Sequence, residues 1–323
     1  MCQPRKNLID LKATEYYHCI TRCVRRAFLC GKDELTGKDF SHRRQWIAER
    51  LNKLANSFLI EVCAYAIMSN HYHVVLKVNS QQLSQLSDQE IYTRWTTIFP
   101  SGSEHVERYL QNIGSAADKE ISERVLKKLR INLTSISWFM RALNHHIACR
   151  ANKEDECKGK FWESRFTSQA LLDQTALLSC MTYVDLNPIR AGAADTPEKS
   201  DFTSIQDRLR AIKVAQQSKK LTNECQPQNL KKFGTDKNQI HFDVLDYICL
   251  VDWTGRTIRQ NKSKMRTDLP TIIDRLQIDV EHWMKITQSF EACFAHFAAK
   301  SKTLYQYMNE KGKSYCKGVH WQT

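Results

Sequence analysis

The sequence predicts an α+β protein, with antiparallel strands and helices interleaved in its first two hundred residues and helices beyond. Two runs of strand formers, Leu59-Ile-Glu-Val-Cys-Ala-Tyr-Ala-Ile-Met68 and His71 to Val78, are separated only by Ser69-Asn70, which reads as a hairpin. Tyr16 to Val24 reads as an earlier strand, with Arg22, Arg25 and Arg26 at its exit. Helical spacing supplies the other observation: Trp46, Ile47, Leu51 and Leu54 within 43–56, then Ile136, Phe139, Met140, Leu143 and Ile147.

The remaining elements follow in order. The stretch after Val78 begins Asn79-Ser-Gln-Gln-Leu and stays polar, so 79–130 is expected to be a partly helical insertion. Residues 151–160 read as a charged loop, Phe161 to Leu172 as a further strand, and Gln174 to Asp185 as a helix, extended to 187 if Asn187 continues it. Pro188 must interrupt regular hydrogen bonding there. Past Ala194 the composition shifts. The expected organisation is a domain over 1–210, a Lys/Gln/Asn-rich linker over 211–240, and a helical C-terminal domain over 241–323. Phe242, Leu245, Ile248 and Cys249, then Trp283, Phe290, Phe294 and Phe297, carry the amphipathic patterns of that last part.

Composition narrows the function classes. With 323 residues and 42% hydrophobic content there is ample material for a core. A net charge of +13 points to a polyanionic partner, of which nucleic acid is the commonest soluble example, although solubility alone also accounts for a basic surface. No run of about 18 apolar residues suggests a membrane span, and the N-terminus lacks a signal-peptide core, so a cytoplasmic protein with no membrane partner is expected. The 12 cysteines are scattered without a CxxC pair and read as small buried hydrophobes.

Two constellations carry candidate chemistry. In His71-Tyr72-His73 the strand alternation sends both imidazoles to one face, about 6–7 Å apart along the chain, where they suit one divalent ion. By themselves they also read as two surface histidines on an edge strand. In Tyr183-Val-Asp-Leu-Asn-Pro188, a helix would set Tyr183 and Asn187 four apart on one face. By itself this also reads as a core tyrosine near a helix end.

Taken together, the motifs resemble a known family. Ala64-Tyr-Ala-Ile-Met-Ser-Asn-His-Tyr-His-Val-Val-Leu76 resembles the histidine–hydrophobic–histidine segment of single-tyrosine transposases. Lys160-Phe-Trp-Glu-Ser-Arg-Phe166 and Met181-Thr-Tyr-Val-Asp-Leu-Asn-Pro-Ile-Arg-Ala-Gly192 resemble the remaining signatures of one branch, the REP-associated tyrosine transposases. The resemblance covers roughly residues 14–205, loosely over 79–130. Tyr72 departs from the usual aliphatic residue between the histidines.

The resemblance implies a ferredoxin-like antiparallel sheet flanked by helices. It implies Tyr183 as nucleophile, His71, His73 and Asn187 as ligands of Mg²⁺ or Mn²⁺, and hairpin-bearing single-stranded DNA as substrate. Arg22, Arg25, Arg26 and Arg165 are the candidate phosphate contacts; Trp162 is better read as core than as a stacking platform. In such chemistry a metal neutralises a non-bridging phosphate oxygen while a tyrosine attacks phosphorus, leaving a 5′-phosphotyrosine and a free 3′-hydroxyl. The family includes dimers, so a homodimer is among the expected partners. Rolling-circle initiators and relaxases share the histidine pair and tyrosine, and a DNA-binding regulator without catalysis is the competing non-enzymatic class.

Overall fold

The computed structural model describes residues 8–24, 29–32, 37–217, 226–259 and 279–312. The chain separates into two compact units, one of residues 1–41, 62–76 and 163–323, the other of 42–61 and 77–162. The elements run β1 (Tyr16–Arg22), α1 (Arg43–Ser57), β2 (Ile60–Ile67), β3 (His71–Val78), α2 (Asp88–Ile98), α3 (Glu104–Leu110), α4 (Ala116–Leu133), α5 (Ile136–Glu154), β4 (Thr167–Leu171) and α6 (Gln174–Asp185). After these come α7 (Asn187–Arg190), α8 (Ser204–Gln217), β5 (Phe233–Gly234), β6 (Ile240–His241), α9 (Val244–Arg259), α10 (Val280–Cys293), β7 (Phe297–Ala298) and a final helix, Ser301–Glu310.

The main sheet has the order β2-β3-β1-β4-β7. Its first four strands follow a β-α-β-β-α-β path, and the order 2-3-1-4 is the ferredoxin-like arrangement. The β2–β3 turn is closed by Met68 N–H donating to the His71 carbonyl at 2.9 Å. β1 and β4 pair antiparallel, with His18 opposite Gln169. β7 adds to the far edge in parallel with β4, Ala170 opposite Phe297. The fold is therefore the expected α+β class: an antiparallel-dominated sheet with helices around it.

The unit that contains most of this sheet has a core running from Cys63, Ala66 and Val75 on the strands through Leu178, Met181 and Val184 on α6 to Tyr247, Trp283 and Phe290. Segments near the C-terminus thus share a core with the sheet. On α9 the buried face is Val244, Tyr247, Leu250 and Val251, whereas Leu245 and Cys249, singled out from the sequence, are exposed. Phe242 and Ile248 of the expected stripe still pack, partly buried, against this core, so the buried face is rotated from the expected one rather than opposite to it. Trp283, Phe290, Phe294 and Phe297 are all buried.

In the second unit the polar stretch after Val78 forms α2, α3 and α4. Two of these open with capping boxes, Ser87 with Glu90 and Ser115 with Asp118, which satisfy the otherwise unpaired first-turn amides. α5 runs to Glu154, so the charged stretch expected as a loop from 151 begins as helix. Arg43, fully buried at the start of α1, is paired with Glu154 and Asp155 at the C-terminal end of α5.

Candidate active site

Three adjacent strands, β3, β1 and β4, each supply one polar side chain to a buried row. Gln169 Nε2 donates to the Phe294 carbonyl at 2.8 Å, which fixes the orientation of its amide. Gln169 Oε1 must then accept from His18 Nδ1, 2.7 Å away. Burial holds His18 below its ordinary pKa, so it is neutral, with its lone pair on Nε2. That atom lies 3.0 Å from His73 Nδ1, which must carry the proton. The consequence is a defined tautomer for His73 with the Nε2 lone pair unused: Nε2 is buried without a hydrogen-bond partner. Burial, with His18 and His71 close by, also keeps His73 well below its ordinary pKa.

His71 stands beside it at the start of β3, ring centroids 4.9 Å apart. Its Nδ1 meets the Asn70 amide oxygen at 2.5 Å, so the proton resides there and Nε2 is again a lone pair. Burial and the nearby Arg22 charge lower its pKa to about 4. Tyr72 points the other way and is fully buried, so the bulkier residue between the histidines packs in the core.

Tyr183 approaches this pair from α6, its ring centroid 5.8 Å from that of His73. Its hydroxyl donates to Glu291 Oε1 of α10 at 2.7 Å. Burial and the Glu291 carboxylate raise the phenol's pKa, against the pull of Arg190. The Arg190 guanidinium lies 3.8 Å over the tyrosine ring. It donates to Gln288 O and to Asn187 Oδ1, both at 2.6 Å.

The helix does not carry Asn187 in register with Tyr183. α6 ends at Asp185, Leu186 caps it with φ −91° and ψ 3°, and α7 starts at Asn187 with Pro188 in its first turn, where a missing N–H costs nothing. Asn187 is buried and connected to the tyrosine through Arg190, with its Nδ2 unpartnered. Asp185, between them, accepts from Ser204 Oγ at 2.5 Å, Ile205 N–H at 2.9 Å and Tyr247 O–H at 2.6 Å. It anchors the start of α8.

Of the candidate phosphate contacts, Arg22 ends β1, exposed and near enough to His71 to act on it electrostatically. Arg165 is exposed ahead of β4. Arg25 and Arg26 lie outside the described residues. Trp162 is pinned by Nε1 donating to the Asn144 carbonyl at 2.8 Å, a structural role.

His18, Gln169, Arg190 and Glu291 were not singled out from the sequence. Arg190 was within reach, since it belongs to the third motif. His18 sits on a strand whose alternation was legible but whose neighbours were not. Glu291, 108 residues from Tyr183, has no local signal.

Among the described residues no group of three or more His, Cys, Asp or Glu side chains stands in metal-holding arrangement. The histidine pair still fits a divalent ion in one respect: both imidazoles are neutral with their protons on Nδ1, which leaves each Nε2 a lone pair, that of His73 buried and unpartnered. An ion held there would draw further ligands from amide, phosphate or water oxygen. No described helix is long and apolar enough to cross a membrane.

What the fold and site define is a ferredoxin-like unit with a histidine pair on β3, one of them fully buried, beside a tyrosine on α6, the helix that follows β4. No protein-family model and no curated protein matches the chain. Among solved structures it is similar to a REP-associated tyrosine transposase bound to a REP hairpin, at 10% sequence identity and a TM-score of 0.37, over 71% of this chain and 93% of that one.

Proposed function

We propose that this chain is a metal-assisted, single-tyrosine DNA nuclease and strand transferase acting on hairpin-bearing single strands. The observation that carries the reading is the convergence of Tyr183 with His71 and His73, whose side chains come from segments more than a hundred residues apart. A core tyrosine and two stray histidines have no reason to meet with both rings neutral and one Nε2 buried without a partner. The three sequence motifs add the direction of the chemistry.

In this reading His71 and His73 would hold Mg²⁺ or Mn²⁺, with the Asn187 amide oxygen joining them once released from Arg190, and the ion would supply charge neutralisation at the phosphate. Tyr183 Oη attacks phosphorus. The P–O3′ bond breaks, the 3′-oxygen leaves and takes a proton from water, and the 5′-phosphate remains on the tyrosine. The phenolic proton passes to Glu291 Oε1, already its hydrogen-bond acceptor. Reversal by another 3′-hydroxyl joins strands without an external energy source. Arg22 and Arg165 are assigned to phosphate contacts, and Arg190 steadies the tyrosine ring.

The test is a covalent adduct. Wild-type protein incubated with a 5′-labelled or 3′-labelled hairpin strand should retain only the label 3′ to the cut, through Tyr183. Tyr183→Phe should form no adduct while binding the strand as before. Adduct formation by Tyr183→Phe at the wild-type rate would overturn the assignment. A rolling-circle initiator or relaxase would form the same linkage, and a regulator would form none.

A further inference from the structure

The second unit contains a groove of about 680 Å³ between α1, the end of α2 and α5. Its wall includes Arg50, Trp138, Arg141, His146, Arg150 and Lys153, and among the described residues no carboxylate lines it. The stripe follows from α5 itself. Trp138, Arg141, His145 and Cys149 recur at three- and four-residue spacing, so they share one face, while Phe139, Leu143 and Ile147 occupy the buried one.

The cations here are presented in an unusual way for a solvated helix face. Arg141 lies 4.8 Å from the centroid of Trp138, and Arg150 lies 3.8 Å from that of Trp46. A guanidinium stacked on a ring keeps its N–H edge free for an anion. Arg50 Nε is buried without a partner. Burial, then the Arg50, Arg150 and Lys53 charges, hold His146 below its ordinary pKa. Trp138 is itself held edge-on by Trp95 and Phe99, ring centroids 5.3 and 5.8 Å away, which leaves it half-buried and rigid.

We propose that this groove is a second nucleic-acid site, which takes a short single-stranded segment with its phosphates on Arg50, Arg141, Arg150 and Lys153 and a base on Trp138. Arg141 to Lys153 spans roughly 18 Å of helix, the reach of a few nucleotides. Cations alone would bind any polyanion. A fixed aromatic face among them selects a strand with unpaired bases. The assignment deepens the DNA reading above and rests on it only in choosing nucleic acid among polyanions.

The experiment measures binding of a fluorescent twelve-nucleotide oligothymidine to the full chain over a range of salt, with circular dichroism and melting as fold controls. Arg141→Gln with Arg150→Gln, both exposed positions, should weaken binding at least 10-fold and make the salt dependence shallower by about 1.4 in log–log slope. Trp138→Leu should weaken binding at least 5-fold and abolish part of the tryptophan quenching that oligothymidine causes in wild type. Tyr183→Phe should bind like wild type. If the arginine pair and Trp138 variants fold and bind oligothymidine as wild type does, the groove is not a strand site. Equal competition by polyglutamate and oligothymidine would also overturn it. A failed tyrosine adduct alongside lost binding in the groove variants would sink the catalytic reading and leave the groove standing.

Discussion

The Tyr183 hydroxyl donates to Glu291 Oε1 across 2.7 Å, and the same carboxylate oxygen lies 3.9 Å from His73 Nε2. A residue of α10 thereby reaches both the proposed nucleophile and the proposed metal ligand. The Glu291 side chain is 38% exposed, so a proton received there has a route to water. The phenol needs such an acceptor, because its surroundings push its pKa up.

Glu291→Gln tests whether that contact is chemical. The amide keeps the shape and a hydrogen bond to Tyr183 but accepts a proton poorly. Single-turnover cleavage should fall by about 10²-fold or more, in the range typical of a lost general base, with strand binding unchanged. A rate at or above wild type would show that Glu291 only covers the tyrosine.

The Gln169–His18–His73 row makes a different demand. If it fixes the tautomer and orientation of His73, breaking it should weaken metal binding. Gln169→Leu should raise the Mn²⁺ concentration needed for half-maximal cleavage by about 10-fold or more. A merely structural role would lower the melting temperature and the active fraction while leaving the Mn²⁺ midpoint in place.

Asp185 gives a pH signature independent of catalysis. Burial outweighs its hydrogen bonds and the nearby Arg208 charge, raising its pKa from 3.8 to about 6. A carboxyl with a raised folded pKa contributes stability that is complete below about pH 4 and lost as pH rises through 6, amounting to about 3 kcal/mol. His71 acts in the opposite sense: with its folded pKa near 4, its contribution is present above its ordinary 6.5 and lost on acidification. The difference between Asp185→Asn and wild type isolates the aspartate. In metal-free protein, urea unfolding should show the variant gaining on wild type by a few kcal/mol between pH 4 and pH 8. A constant difference across that range would contradict a raised Asp185 pKa.

How much of this was legible in sequence depends on the range of the interaction. β3 over His71–Val78 and α6 over Gln174–Asp185 match the sequence reading to the residue, because strand alternation and turn residues are local. The break at Leu186 was foreshadowed by Pro188, yet the consequence was not: Asn187 reaches Tyr183 through Arg190 rather than along one helix. The His18–Gln169 pairing depends on strand register across 151 residues, which local composition does not encode. Glu291 depends on how α10 docks against α6, and the chosen face of α9 likewise depends on its tertiary neighbours.

Substrate form is the last point at which the proposed chemistry can fail. Tyr183 is only 5% exposed. A scissile phosphate must therefore be brought close against a largely buried hydroxyl, and a free strand can bend to do this at little cost. Duplex DNA is stiff, and drawing one strand out of it costs stacking and pairing energy. The protein should nick a single strand with a short hairpin and leave the matched linear duplex uncut. Cleavage should vanish with excess chelator and return with Mg²⁺ or Mn²⁺. His73→Ala should lose most of it even at saturating metal, because the unpartnered Nε2 is gone. Binding should weaken steeply with salt, as expected when a chain of net charge +13 releases counterions from phosphates. Equal adduct yields on hairpin and duplex would refute the single-strand requirement. Undiminished cleavage in chelator would remove the histidine pair from the mechanism even if Tyr183 remained its nucleophile.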